Sequence, residues 1–259
     1  MKTLASRRAI VCGSTRGIGR AVATAFAEAG AEVTLLARDA EALDRARREL
    51  PGPGPHHAVA VDFADTEALR AAAEDEVQRR GPGHILLNNA GGPPPGPAHD
   101  AKPEAYAAAF AQHLLASQVL VQALLPGMRE AGYGRIVNII STSVVTPIRG
   151  LGVSNTIRGA VANWARTLAS ELAADGITVN SILPGFVGTE RLASLVANRA
   201  ERGGKTVAEV EAEMRAAVPA GRFGTPEEIA AVAAFLASPA ASYVNGVNLP
   251  VDGGRLAAQ

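Results

Sequence analysis

Short apolar runs alternate with longer amphipathic runs along the whole chain. The short runs are rich in Val, Ile and Leu, which predicts buried strands, whereas the longer runs repeat apolar residues at helical spacing. The predicted strands are residues 9–12, 33–36, 58–61, 85–87, 136–140, 178–183 and 246–251. The predicted helices are residues 17–29, 40–50, 66–80, 102–131, 153–174 and 225–237.

This alternation predicts βαβ units and a mostly parallel sheet. Because it is uninterrupted, we expect a single domain, residues 1–259, with an α/β Rossmann fold: a doubly wound parallel sheet of about seven strands flanked by helices. Residues 186–221 are the exception, since they form a long, partly helical segment after a strand end. We expect this segment to be a substrate lid. Its apolar residues either contact an apolar substrate or pack the lid onto the body, and packing is favoured for most of them.

Composition narrows the class of protein. The chain is 47% hydrophobic and 19% charged, which indicates a folded globular protein, and its net charge of zero argues against a nucleic-acid partner. A single cysteine, Cys12, excludes an internal disulfide and suits a reducing compartment. Because the N-terminus has no apolar signal core and no run is long enough to span a bilayer, we expect a cytoplasmic protein with no membrane partner. We also expect no bound metal.

A glycine-rich turn joins the first predicted strand to the first helix. It reads Cys12-Gly-Ser-Thr-Arg-Gly-Ile-Gly19. Its glycines allow a tight turn and close approach of the backbone to a pyrophosphate, and the helix N-terminus offers free N–H groups to the anion. A bare turn is the alternative, but the position between strand and helix favours a dinucleotide site. The candidate contacts are Gly13, Ser14, Arg16, Gly17, Ile18 and Gly19.

The end of the second strand bears on the choice of nucleotide. Proteins that bind NAD place an acid there on the ribose 2′-hydroxyl. Here Ala37 falls at that position and Arg38 follows, so a guanidinium is available for a 2′-phosphate, with Arg16 adding a second positive charge. The alternative is that Arg38 is a solvated surface residue and Asp39 is the ribose acid. We favour NADP(H) over NAD(H).

Further motifs follow the other strands in a characteristic order. They are GSTRGIG at 13–19, Val61-Asp62, Asn88-Asn-Ala-Gly91, Pro184-Gly185, Thr189 and Asp252-Gly-Gly254. With these motifs the chain resembles the short-chain dehydrogenase/reductase family, and within it is similar to the 3-oxoacyl-carrier-protein reductases. The resemblance implies a homotetramer or homodimer formed through the two long helices, with a small-molecule substrate. It also implies that the nucleotide is bound by Asp62, Phe63, Asn89, Ala90, Gly91, Pro184, Gly185, Val187 and Thr189.

The chain departs from the family at the catalytic residues. The family's usual set is Asn, Ser, Tyr and Lys, with the last two spaced Tyr-x-x-x-Lys. Ser141 stands at the serine position, and counting on from it places Ser154 and Arg158 in the tyrosine and lysine slots. His113 takes the asparagine slot, and Ser143 is a rival for the role of Ser141. The pattern is similar to a divergent branch of the family with Ser-Asn-x-x-Arg here.

These replacements change the available chemistry. A serine hydroxyl is a far weaker acid than a phenol, so Ser154 is a poor proton donor, and Arg158 can hold a ribose but cannot relay a proton. His113 is either a general acid or base or, as we favour, a hydrogen-bonding substitute for asparagine.

Three functions fit the sequence, and we rank them in this order. The first is an NADP(H)-dependent oxidoreductase acting on a carbonyl or alcohol of a small or medium apolar molecule. The second is an enzyme of the same fold that catalyses dehydration, cyclisation or isomerisation. The third is a nucleotide-binding protein without catalysis.

Overall fold

Seven parallel strands form one sheet in the computed structural model, which describes residues 2–52 and 54–258. The strand order is β3-β2-β1-β4-β5-β6-β7. This confirms the predicted Rossmann fold and the number of strands. The strands are β1 Arg8–Cys12, β2 Glu32–Ala37, β3 His57–Ala60, β4 Ile85–Asn88, β5 Gly134–Ile139, β6 Ile177–Pro184 and β7 Asn248–Val251.

Helices connect the strands and cover both faces of the sheet. They are α1 Gly17–Glu28, α2 Ala40–Arg48, α3 Thr66–Arg80, α4 Pro103–Glu130, α5 Gly152–Leu172, α6 Glu190–Gly203, α7 Val207–Ala216 and α8 Pro226–Ala237. Their bounds differ from the predicted ones by a residue or two, as is usual where helix ends fray. The last strand begins two residues later than predicted because Gly246 has a φ of 73°, which is outside the extended region.

Each strand contributes to two hydrophobic layers, because alternate side chains point to opposite faces of the sheet. On β1, Ala9 and Val11 join the layer under α1 and α8, whereas Ile10 and Cys12 join the layer under α3, α4 and α5. All four side chains are at most 4% exposed. Burial on both faces explains why the strand appears in the sequence as a continuous apolar run.

The strand order reverses between β1 and β4, which pair side by side in the middle of the sheet. Ligands of such sheets bind in the crevice outside the carboxyl ends of the strands at this switch point. The glycine turn follows β1 and Asn89 follows β4. Ser141 follows β5 and Thr189 follows β6. The topology therefore brings the predicted motifs to one edge of the sheet.

Helix α4 contains an irregular turn that the sequence did not predict. Residues Ala111–Leu115 form a π-helical turn between two α-helical stretches, and His113 lies in it. The hydroxyl of Ser117 donates to the carbonyl oxygen of His113, four residues earlier, at 2.6 Å. π-Turns are rare and often mark functional positions.

The expectation that no run is long enough to span a bilayer was wrong by length and composition, because helix α4 meets both criteria, the one such helix found among residues 2–52 and 54–258. Here Leu120, Leu124 and Met128 are at most 1% exposed and pack in the layer beneath the helix. A buried helix of a sheet protein passes the same composition test, so we interpret α4 as a core helix.

Residues 186–221 contain α6 and α7, which pack against each other. Leu192, Val196, Ala200, Val210 and Met214 form a separate apolar cluster at most 8% exposed. Most of the apolar residues that suggested an apolar substrate are therefore used in packing within the segment. The cluster gives the segment a core of its own.

Candidate active site

The glycine turn has the form that a pyrophosphate requires. Gly13 and Gly17 have φ angles of 58° and 55°, which favour glycine, and a Cβ added to Gly19 would overlap the carbonyl oxygen of Gly13. The N-cap residue of α1, Arg16, makes no side-chain cap hydrogen bond, and the first turn carries no acidic residue. The first-turn N–H groups, that of Ile18 among them, therefore have no side-chain cap and can donate to an anion.

Two side chains hold this turn in place. The Asn89 amide donates to the carbonyl oxygens of Cys12 and Gly13, at 3.3 Å in each case. The fully buried Ser14 donates its hydroxyl to the Leu36 carbonyl oxygen at 3.4 Å. Asn89 and Ser14 therefore position the glycine turn from beneath, which is a structural contribution to a nucleotide site.

The region after β2 distinguishes the two charged candidates. One oxygen of Asp39 accepts the Ala42 N–H at 2.9 Å and caps α2, so this carboxylate is already engaged. Arg38 is exposed and forms no ion pair with any residue in the described part of the chain. Arg16, in contrast, pairs with Glu190 of α6. Of the two predicted cations, Arg38 is the one left without a carboxylate.

The loop after β3 contains the two predicted nucleotide contacts Asp62 and Phe63, but only the Asp62 side chain is exposed. Asp62 is exposed and accepts the Ala64 N–H at 3.0 Å. The Phe63 side chain is 8% exposed and packs in the layer with Leu69. Any contact of Phe63 with a nucleotide therefore comes from its main chain, because the ring lies inside the fold.

The opposite wall of the cleft follows β6. Pro184 ends the strand, and a Cβ on Gly185 would lie 2.7 Å from Cα of Asp252, so only glycine fits this close approach. Thr189 caps α6 by accepting the Leu192 N–H at 3.3 Å, and its hydroxyl lies 3.3 Å from the Val187 carbonyl oxygen. A Cβ on Gly17 would lie 3.4 Å from the Thr189 methyl group, so the two walls face each other.

Ser141 is held in a defined orientation. Its Oγ accepts the Ser143 N–H at 3.1 Å and caps the short helix Thr142–Val144. Because the oxygen accepts that bond, the Ser141 hydroxyl proton remains free to donate. Ser143 is 4% exposed, and its hydroxyl has no partner in the described residues.

Ser154 and Arg158 lie one turn apart on α5. Ser154 is half-buried in the first turn of the helix. Arg158 donates to the Ile139 carbonyl oxygen at 2.7 Å and lies 3.5 Å from the Ala90 carbonyl oxygen. Burial and the charge of Arg191 lower the pKa of Arg158 to about 10, which leaves it protonated at neutral pH. Arg158 thus ties the ends of β4 and β5 together.

His113 lines the same pocket as Arg158, together with Asn88, Asn138 and Ala90. It is 5% exposed, and its Nε2 has no partner in the described residues. Burial and the charges of Arg158 and Arg191 lower the pKa of His113 to about 3. A hydrogen bond with the Gly91 backbone acts in the opposite direction and offsets part of this lowering. The imidazole is therefore neutral at physiological pH, which favours the hydrogen-bonding interpretation over a general acid.

Two polar residues of this region were not predicted. Asn138 accepts the Asn88 amide at 2.8 Å, and its only sequence signal is a polar residue inside the apolar run 136–140. Arg191 lies in the first turn of α6 and donates to the carbonyl oxygens of Gly92 and Pro93, at 3.0 and 2.8 Å. Nothing local in the sequence distinguishes Arg191 from a surface arginine.

A seven-stranded parallel sheet with a glycine turn at its switch point is the arrangement typical of the Rossmann class, whose members bind dinucleotides. Residues 13–255 match the family described as enoyl-(acyl carrier protein) reductase. The chain belongs to the short-chain dehydrogenase/reductase family, as the motifs predicted.

The family includes well-matched oxidoreductases. The chain is 38% identical over 248 residues to galactitol 2-dehydrogenase (L-tagatose-forming) of Cereibacter sphaeroides, covering 95% of this chain and 93% of that protein. It is 33% identical over 253 residues to the 3-oxoacyl-[acyl-carrier-protein] reductase of Vibrio cholerae, covering 97% and 98%. L-sorbose reductase from Gluconobacter frateurii, solved with NADPH and L-sorbose, superposes with a TM-score of 0.92 at 32% identity and covers 99% of both chains.

Proposed function

We propose that the protein is an NADP(H)-dependent oxidoreductase that interconverts a carbonyl and an alcohol on a small or medium-sized molecule. The observation that carries the cofactor preference is the exposed, unpaired Arg38 beside the engaged Asp39. The solved relative that binds NADPH supports it. The nucleotide supplies the hydride when bound, and the glycine turn, Asn89 and Thr189 hold and orient it.

The residues that act on the substrate differ from the usual set. Ser141, with its proton free, donates to the carbonyl oxygen and polarises it. Arg158 remains charged and stabilises negative charge that develops near the ends of β4 and β5. His113 stays neutral and lines the pocket as a hydrogen-bonding group. The proton comes through water or Ser154, because no described tyrosine occupies the family's slot.

The substrate need not be apolar. That expectation rested on the apolar residues of 186–221, and Leu192, Val196, Val210 and Met214 pack against one another instead. Val207 of the same segment is 50% exposed and faces solvent. The proposal is therefore confined to the reaction type and the cofactor.

A panel assay tests the reaction. NADPH oxidation is followed with aldehydes, ketones, oxo acids and ketoses, and the products are identified by mass spectrometry. Stoichiometric NADPH consumption with formation of an alcohol supports the proposal. A protein that binds NADPH but reduces no member of the panel would count against it.

The missing phenol favours a second candidate, a non-redox enzyme or a nucleotide-binding protein without catalysis. The three tyrosines are used elsewhere: Tyr106 bonds the Ala98 carbonyl oxygen, Tyr133 bonds the Ala237 carbonyl oxygen, and Tyr243 is fully exposed. The double variant Ser154→Tyr/Arg158→Lys separates the candidates. If ketone reduction appears only in the double variant, the native protein is not a carbonyl reductase.

We extend the proposal to assembly and location. Phe110 and Leu115 on α4 are 39% and 40% exposed, which suits a homotetramer or homodimer through the long helices. Light scattering tests this, and Phe110→Glu/Leu115→Glu should lower the measured mass to that of a smaller species. A cytoplasmic location, with a small molecule as the partner, fits a reductase that depends on NADPH.

A further inference from the structure

Two guanidinium groups lie at the catalytic end of the cleft without a carboxylate. Arg158 comes from α5 and Arg191 from the first turn of α6. Within residues 2–52 and 54–258, neither has an acidic oxygen within 4.0 Å. Among the four arginines of the 186–221 segment, Arg215 pairs with Glu211, whereas Arg191, Arg199 and Arg202 have no ion-pair partner among the described residues. Arg191 differs from the other two in that its guanidinium donates to the Gly92 and Pro93 carbonyl oxygens beside the cleft.

The position of Arg191 is electrostatically unfavourable. A cation in the first turn of a helix opposes the helix dipole. Both guanidinium groups contact carbonyl oxygens of the same loop, Arg158 that of Ala90 and Arg191 those of Gly92 and Pro93. The charge of Arg191 also lowers the pKa of Arg158, so the two arginines form one positive region. No described acidic side chain compensates this region. Binding of an anion would compensate this positive charge.

The geometry holds Arg191 at the entrance of the site. It donates to the Gly92 and Pro93 carbonyl oxygens, on the loop that follows β4. A Cβ on Gly92 would lie 2.8 Å from Nη2 of Arg191, so the guanidinium rests against this glycine. The guanidinium carries five N–H donors, and donors remain beyond these two bonds.

A buried polar atom without a partner lies in the pocket that Arg158 lines. His113 lines the pocket with Arg158, is 5% exposed, and has no partner for Nε2 in the described residues. A native protein rarely leaves such an atom without a hydrogen bond. Planar guanidinium groups match the two oxygens of a carboxylate.

We propose that Arg191, together with Arg158, binds a carboxylate of the substrate, so that the substrate is an oxo acid or the corresponding hydroxy acid. Arg191 is a specificity-determining residue in this proposal, and it acts by binding. The identity of the reacting carbonyl rests on the proposed function. The anion site itself does not, because it can be measured without turnover.

Equilibrium binding tests the site. The protein saturated with NADP⁺, which has no hydride to transfer to a carbonyl, is titrated in a calorimeter with 2-oxo, 3-oxo and 4-oxo acids of increasing length and with their methyl esters, which are neutral and of similar shape. We expect at least one acid to bind more than tenfold tighter than its ester. A hydrogen bond to a charged group contributes about 1.5–3 kcal/mol, so Arg191→Gln should raise the Kd of that acid by about 10- to 100-fold.

Matched variants distinguish a role of Arg191 in binding the carboxylate from a role in holding α6 against the 92–93 loop. Arg191→Lys keeps the charge and should restore part of the affinity, and Arg202→Gln, an exposed residue at the other end of α6, should change nothing. Equal binding of acids and esters, or binding of neither, overturns the proposal. It is also overturned if Arg191→Gln weakens NADPH and ester as much as acid, because Arg191 would then only fasten α6 to the 92–93 loop.

Turnover is measured on the same panel as a separate readout. Acid binding that depends on Arg191, with no NADPH oxidation, upholds the anion site and rejects the reductase. NADPH oxidation with neutral carbonyls alone, unaffected by Arg191→Gln, upholds the reductase and rejects the anion site.

Discussion

Replacing His113 by asparagine should remove part of the acid sensitivity of the fold. The folded-state pKa of His113 is about 3, below the ordinary histidine value of about 6.5. The unfolded chain therefore binds a proton that the folded chain excludes. The stability gained by keeping His113 neutral is fully present above pH 6.5 and is lost as the pH falls toward 3.

The size of this effect follows from the two pKa values. Each pH unit between them corresponds to about 1.4 kcal/mol. Between pH 7.5 and 4.5 the histidine contribution changes by about 2.7 kcal/mol, because protonation of the unfolded chain begins near pH 6.5. At pH 7 only about one folded molecule in 10⁴ carries a protonated His113, so the imidazolium is not the proton donor of a reaction at neutral pH.

Urea unfolding at pH 7.5 and 4.5 measures this contribution. We expect the native protein to lose about 3 kcal/mol more stability over this interval than His113→Asn, at a fixed protein concentration. A cavity left by the smaller side chain shifts both pH values alike and cancels in the comparison. The control is His99→Asn, because that side chain is exposed on a surface loop and its replacement should leave the pH dependence unchanged.

An equal loss of stability in the native protein and in His113→Asn would refute the reasoning. It would mean that His113 takes up a proton in the folded state as readily as in the unfolded chain. The two nearby arginines would then not act on the imidazole. The positive region inferred around Arg158 and Arg191 would lose that support.

Three further variants test the nucleotide site and the core. Gly19→Ala should abolish NADPH binding in calorimetry, because its Cβ overlaps a carbonyl oxygen of the glycine turn, whereas Gly203→Ala, with nothing closer than 3.9 Å, should bind normally. Arg38→Ala should weaken the binding of NADPH about 10- to 100-fold and that of NADH little. Arg45→Ala, on the exposed side of α2, is the control. Equal losses of affinity for both nucleotides would contradict the NADP(H) preference. Tyr133→Phe should lower the free energy of unfolding by about 1–2 kcal/mol, because its hydroxyl makes a 2.5 Å bond to a buried main-chain carbonyl; an unchanged urea midpoint would argue that the bond contributes nothing.

Most of the fold could be predicted from local patterns in the amino-acid sequence. A buried parallel strand needs apolar residues on both faces, so the runs around Val11 and Leu87 identify strands without any tertiary information. The glycine turn was equally readable, since positive φ at Gly13 and close packing at Gly19 leave few other residues possible. The substitution at Ser154 also followed from counting along the chain.

The burial and the neighbours of each site residue could not be predicted from local sequence patterns. The sequence gives His113 an ordinary imidazole, and only burial in a π-turn beside Arg158 makes it neutral. The sequence favoured Arg38 but left Asp39 as an alternative, and only the structure shows that the Asp39 carboxylate is engaged in capping α2. The apolar residues of 186–221 suggested a substrate until α6 and α7 packed them together.

The sequence by itself determined the order of strands and helices, the nucleotide turn and the absence of a tyrosine from the family's slot. Those features depend on neighbours along the chain, where periodicity and backbone conformation act. Only the tertiary structure decided which charges meet: it brings Arg191 from α6 toward Arg158 from α5. Electrostatic energy depends on distance and burial in space, and a sequence does not encode either one locally.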